Sequence, residues 1–84
     1  MVESRSESEA ALLRRVGMNA RLARVEQGLS QEAAAQAAGL HRTHISLIER
    51  GEANLTVINL ARLAEGLGVE LTALVAGARG ARGQ

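Results

Sequence analysis

Apolar residues return at helical spacing along most of the chain, and no run of them alternates with polar ones. Between Ser8 and Gln27, the residues Leu13, Val16, Ala20 and Ala23 fall at steps of three and four and form one stripe, with Gln27 as its polar last member. Gly17 lies inside this run and is a point where a short first helix can separate from the rest. Gly28 followed by Leu29 reads as a left-handed helix close with its apolar contact. Ser30 is an N-cap for a second helix over 31–38, and Glu32 sits favourably in its first turn. Gly39 and Leu40 make a tight turn before a third helix over 41–50, which stops at Gly51. The stretch EANL reads as an exposed connector. Thr56 then caps a fourth helix over 57–66, with Val57, Leu60, Leu63, Ala64 and Leu67 on one face. A last short helix over about 70–76 brings Leu71, Leu74 and Val75. The pattern predicts an all-α fold: a compact five-helix bundle with a helix-turn-helix at 31–50. It also predicts a flexible N-terminus at 1–7, one domain over 8–76 and a flexible glycine–arginine tail at 77–84.

The third helix has an unusual outer side. In GLHRTHISLIERG, residues 39–51, only Ile45 and Ile48 clearly call for burial. At about 100° per residue, His41 and Glu49 share their side of the helix. Thr43, Ser46, Leu47 and Arg50 lie opposite, with Arg42 and His44 at the edges. A side that is short-chained in the middle and basic near both ends suits a helix entering a DNA major groove. On that geometry Arg42 would reach guanine O6 and N7, Thr43 would donate or accept, and Leu47 would meet a thymine methyl. An amphipathic helix on the rim of any helical bundle fits the same periodicity.

Composition narrows the partners. Three glutamates against one arginine leave −2 over residues 1–13, and nine arginines against six glutamates leave +3 over 14–84. The balance is mildly basic and compatible with a polyanion. Aromatic residues are absent, so base stacking of the single-strand-binding kind has no platform. Absence of cysteine excludes disulfides and thiolate metal sites. No apolar run approaches the roughly 20 residues that span a bilayer, and MVESRSESEA lacks the apolar stretch of a signal peptide. The cytoplasm is the expected compartment. The bias to alanine and arginine fits a GC-rich bacterial coding sequence.

The segment LSQEAAAQAAGLHRTHISLIERGEANLTVINLARLAEGLGV, 29–69, preceded by RLAR at 21–24, resembles the lambda-repressor-like, Cro-type (XRE) helix-turn-helix family. Within it, RTHISLIERGEAN followed by LTVINL is similar to the controller proteins of restriction–modification systems. The resemblance implies DNA base contacts from Arg42, Thr43, Ser46 and Leu47. It implies backbone or edge contacts from Arg21, Ser30, Gln31, His44, Arg50 and Asn54. Arg24 and Glu49 match a partly buried ion pair that ties the first helix to the third. The chain departs from the family pattern at Ala34, where leucine is usual, at Leu55, where proline is usual, and at His44, where an aromatic is frequent. Ala20 and Ala23 are small as well.

Leu12 and Leu13, with Leu71, Leu74 and Val75, supply more apolar surface than a small bundle needs. Leu71, Leu74 and Val75 are therefore expected in a homodimer interface built from the last two helices, which would set two recognition helices about 34 Å apart on a pseudo-palindrome. His41 and His44 have a spacing that metals use, but no third ligand accompanies them, and no metal or other cofactor is expected. No nucleophile–base set or phosphate loop can be named, so no enzyme is expected. Two function classes remain: a double-stranded DNA-binding transcriptional regulator, and a helix-turn-helix module for protein–protein contact such as an antitoxin or anti-repressor. No membrane partner or small-molecule ligand is implied.

Overall fold

The computed structural model describes residues 6–78, so the expected flexible residues 1–5 and 79–84 lie outside the described part. Five helices follow in order: α1 (Glu7–Glu26), α2 (Gln31–Ala38), α3 (Arg42–Glu49), α4 (Val57–Leu67) and α5 (Leu71–Leu74). No helix is long and apolar enough to cross a membrane among the described residues.

α1 starts at Glu7, inside the segment expected to be flexible. The reason is a capping box that the residues spell out: Ser6 Oγ accepts from the Glu9 amide at 3.1 Å, and the Ser6 amide donates to Glu9 Oε1 at 3.0 Å. α1 is also unbroken at Gly17. A Cβ built there would collide with the carbonyl oxygen of Ile48 and lie 2.9 Å from that of Glu49. Gly17 is thus a contact position, where the last turn of α3 rests directly on the α1 backbone, and not a hinge.

Four helices end in the same wrapped turn, in which an amide just past the end returns to a carbonyl five residues back. The pairs are Leu29 to Arg24, Leu40 to Ala35, Glu52 to Leu47 and Val69 to Ala64, at 2.9–3.1 Å. The turn between α2 and α3 depends on Gly39, whose φ of +70° suits a residue without a Cβ. These closures keep the loops short.

The core is built from Ala20, Ala23, Ala34, Ala35, Ala38, Ile45, Ile48, Leu63, Ala64, Leu67 and Leu74. Ala34 is fully buried although it is small. The departure from leucine is absorbed by bringing α2 close to α4: a Cβ built on Gly66 would stand 2.7 Å from both Cα and N of Ala38. Small side chains on both helices let the backbones approach, and dispersion contacts replace the missing bulk.

Three expectations are corrected here. Val57 does not join its apolar neighbours but is 70% exposed, because it lies at the edge of the α4 stripe and only Leu63, Ala64 and Leu67 are buried. The connector is not wholly exposed: Ala53 is buried, and Leu55 is half-buried against the core. The last helix is only one turn, Leu71–Leu74. Its end is held by Asn19, whose Nδ2 donates to the Leu74 carbonyl at 3.0 Å and to the Ala76 carbonyl at 2.8 Å. The chain from Gly68, beside Gln27, to Gly77, beside Arg15, therefore runs back along α1.

Candidate nucleic-acid interface

α3 is fixed by its inward residues. Ile45 and Ile48 are 2% and 1% exposed, so the helix cannot rotate without exposing them. Rotation being fixed, the outward residues follow. Arg42, Thr43 and Arg50 are exposed, and Ser46, Leu47 and His44 are half-buried. Leu47 is corrected from a fully solvent-facing residue to a half-buried one that packs partly on the core cluster. Its remaining exposed surface shares the outer side with Thr43 and Ser46. His41 is the residue before the first turn of α3 and supplies no side-chain cap to it.

The start of α2 lies beside this surface. Ser30 Oγ accepts from the Ala33 amide at 3.0 Å, which leaves the hydroxyl proton to an outside acceptor. Gln31 is half-buried, and its side chain is engaged within the fold: Nε2 donates to Glu49 Oε1 at 3.1 Å. Arg21 is exposed on α1, and Asn54 is exposed in the connector. Arg50 Nη2 stands 3.5 Å from Glu52 Oε1, with both side chains more than half exposed. An exposed pair of that kind holds neither partner firmly and leaves Arg50 available.

Behind the outer side lies a charge cluster. Arg24 Nε donates to Glu49 Oε2 at 2.6 Å, Arg24 Nη2 donates to Glu49 Oε1 at 3.1 Å, and Arg24 Nη1 donates to the Leu29 carbonyl at 2.8 Å. The two side chains are 14% and 6% exposed. The hydrogen bond to Glu49 raises the Arg24 pKa above its ordinary value, burial opposes that shift, and the Glu49 charge reinforces it. The guanidinium therefore stays charged at any working pH. The geometry is the bidentate fork in which arginine pairs best with a carboxylate.

The expected interface of Leu71, Leu74 and Val75 is not a single exposed set. Leu74 is fully buried and belongs to the protein's own core, because a one-turn helix must point one apolar residue inward to be held at all. Leu71 and Val75 are 36% and 39% exposed. Sequence reasoning missed Val57 and Ile58, 70% and 63% exposed at the start of α4, and the stripe of Met18, Leu22 and Val25 on α1. The spacing of Met18, Leu22 and Val25 at steps of four and three was the available signal.

A family model described as Helix-turn-helix (HTH_3) matches residues 21–74. The chain is 45% identical over 51 residues to the Neisseria hypothetical transcription factor of Neisseria meningitidis serogroup B, a match covering 61% of this chain and 48% of that protein. It therefore spans about half the length of that relative. To control protein C.MunI of a Mycoplasma species it is 39% identical over 54 residues, covering 64% of this chain and 73% of that one. Among solved structures, the restriction-modification controller protein C.AhdI from Aeromonas hydrophila matches with a TM-score of 0.74 at 38% identity, over 76% of this chain and 97% of that one.

Proposed function

The chain belongs to the HTH_3 helix-turn-helix family, and from that premise we propose that it is a sequence-specific, double-stranded DNA-binding transcriptional regulator. It acts in the cytoplasm, without a catalytic role, as a homodimer on a pseudo-palindromic operator. Similarity to control proteins of restriction–modification systems favours a controller role, in which the protein regulates expression of such a system.

The observation that carries this reading is the outer side of α3. Its inward residues are buried, its turn is tight, and Arg42 and Thr43 stand exposed in its first turn, where groove-reading helices make base contacts. In this reading Arg42, Thr43, Ser46 and Leu47 touch bases. Arg21, Ser30, Gln31, His44, Arg50 and Asn54 touch the backbone or groove edges. Arg24 and Glu49 hold α3 in place.

Selection of binding sites from random duplex DNA, followed by titration of the selected duplex across a salt series, tests it. A two-fold related consensus should emerge, and affinity should fall with salt at a slope of about −0.9 per neutralised phosphate. Recovery of no consensus, together with weak binding that ignores sequence, would instead favour the protein–protein module.

A further inference from the structure

Resting on the homodimeric DNA-binding reading above, we propose that Asn19 is a positioning residue for operator geometry: it fixes the rotation of α5 and, through it, the half-site spacing that a pair of chains accepts. α5 is one turn long, and its N-cap Glu70 lends it no side-chain hydrogen bond. A helix of four residues does not hold itself, so its orientation comes from what grips it. Leu74 is fully buried, and a single buried side chain is a pivot about which the turn can still rotate. Asn19, 55 residues away in sequence, supplies the clamp. Its Nδ2 donates to the Leu74 carbonyl at 3.0 Å and to the Ala76 carbonyl at 2.8 Å. The carbonyl between them, that of Val75, accepts from the Ala78 amide at 3.0 Å. Three successive carbonyls therefore have fixed directions, and the direction of the Val75 side chain follows from them.

Leu71 and Val75, one helical turn apart, are 36% and 39% exposed and are what α5 offers to a second copy. Apolar groups held in one direction before association lose little freedom on it. Two residues back along α1, at Gly17, the last turn of α3 rests on the helix backbone. Gly17 and Asn19 lie about 3 Å apart along the helix axis and point about 160° apart around it. One stiff turn of α1 thus meets the base-reading helix on one side and holds the dimer contact on the other. A change in the tilt of α5 against that turn is carried into the position of the partner's α3 on the duplex. A tilt of about 5° acting over about 34 Å moves the second recognition helix by about 3 Å, close to one base-pair step.

The test uses Asn19→Ala, which removes the amide, and Asn19→Asp, which keeps its size but turns acceptors towards the two carbonyls, both in the full chain. Neither touches the buried Leu74 or the Arg24–Glu49 pair, so both variants should unfold cooperatively. Affinity is measured on the selected operator, on that operator with one base pair inserted or removed between its halves, and on a single half-site. Wild type should favour one spacing. In both variants affinity for that spacing should fall about tenfold, the scale of two neutral hydrogen bonds. The preference over the altered spacings should shrink by the same factor, and half-site affinity should stay unchanged. An undiminished spacing preference would overturn the proposal whether or not the melting temperature falls, since a purely structural bond lowers stability alone. So would an equal loss on half-site and operator, because Asn19 would then act on the reading helix within one chain. Both of those outcomes leave the DNA-binding reading standing. A wild-type protein that prefers no sequence, or that binds the operator no better than one half-site, would sink that reading and this proposal together.

Discussion

Arg42 and Arg50 carry the same charge at opposite ends of α3, and the proposed DNA-binding role would give them different tasks. Arg42 stands in the first turn of α3, where a guanidinium can address the two acceptors on one guanine edge. Arg50 follows the last turn, beside Glu52, and its proposed role is a phosphate contact. Arg42→Ala should cost about 1–3 kcal/mol on the preferred site and relax specificity at one or two base pairs. Arg50→Ala should weaken all duplexes alike and make the salt slope shallower by about 1. Titration of both variants against a panel of single-base operator changes separates the roles. A uniform loss for Arg42→Ala, or a base-selective one for Arg50→Ala, would exchange the two assignments. Neither change should disturb folding, because both residues are exposed.

At the scale of elements, helix placement depends on two glycines inside helices. Replacing a helical glycine by alanine normally gains up to about 1 kcal/mol. At Gly17 the new Cβ would strike the carbonyl groups of Ile48 and Glu49, and at Gly66 it would strike the backbone of Ala38. Backbone cannot swing aside as a flexible side chain can, and overpacking costs typically about 1–3 kcal/mol. The clash outweighs the propensity, so Gly17→Ala and Gly66→Ala should each lower stability in urea unfolding; a rise in the midpoint of either would refute the close-approach account. Glycine's role here also marks what the chain's local pattern conveys and what it withholds. The starts of α2 and α4 were legible because Ser30 and Thr56 are caps, and the turn because Gly39 is its left-handed residue. The inward direction of α3 was legible from Ile45 and Ile48. The contact role of Gly17 was not, since a close approach between helices leaves no periodic trace. Nor was the Gln31–Glu49 bond, which joins residues that no local spacing relates. Val57 and Leu74 were misjudged for a related reason: a short apolar stripe does not say which of its edge members the neighbouring helices will cover.

At the scale of the whole molecule, the proposed reading of a two-fold site by a pair of small domains is testable at two adjacent residues. Leu74 is fully buried and Val75 is 39% exposed, although both were expected at one interface. Leu74→Ala should leave a cavity under α5 and cost about 2–5 kcal/mol of stability. Val75→Glu should leave the stability of the isolated domain nearly unchanged, because the side chain already meets water there. If α5 and the start of α4 form the dimer contact, Val75→Glu or Ile58→Glu buries an unpaired charge there and pushes the equilibrium towards monomer. The described domain measures 34 × 28 × 19 Å, so two copies side by side can set their α3 helices roughly one DNA turn apart, about 34 Å. Loss of the dimer would then remove the second half-site from each binding event and, with it, most of the affinity for the full operator. Sedimentation equilibrium should report monomers for Val75→Glu and Ile58→Glu, with half-operator binding preserved and full-operator binding reduced to the half-site level. Intact dimers in both variants would move the contact elsewhere, and the exposed Met18–Leu22–Val25 stripe of α1 would be the next surface to mutate.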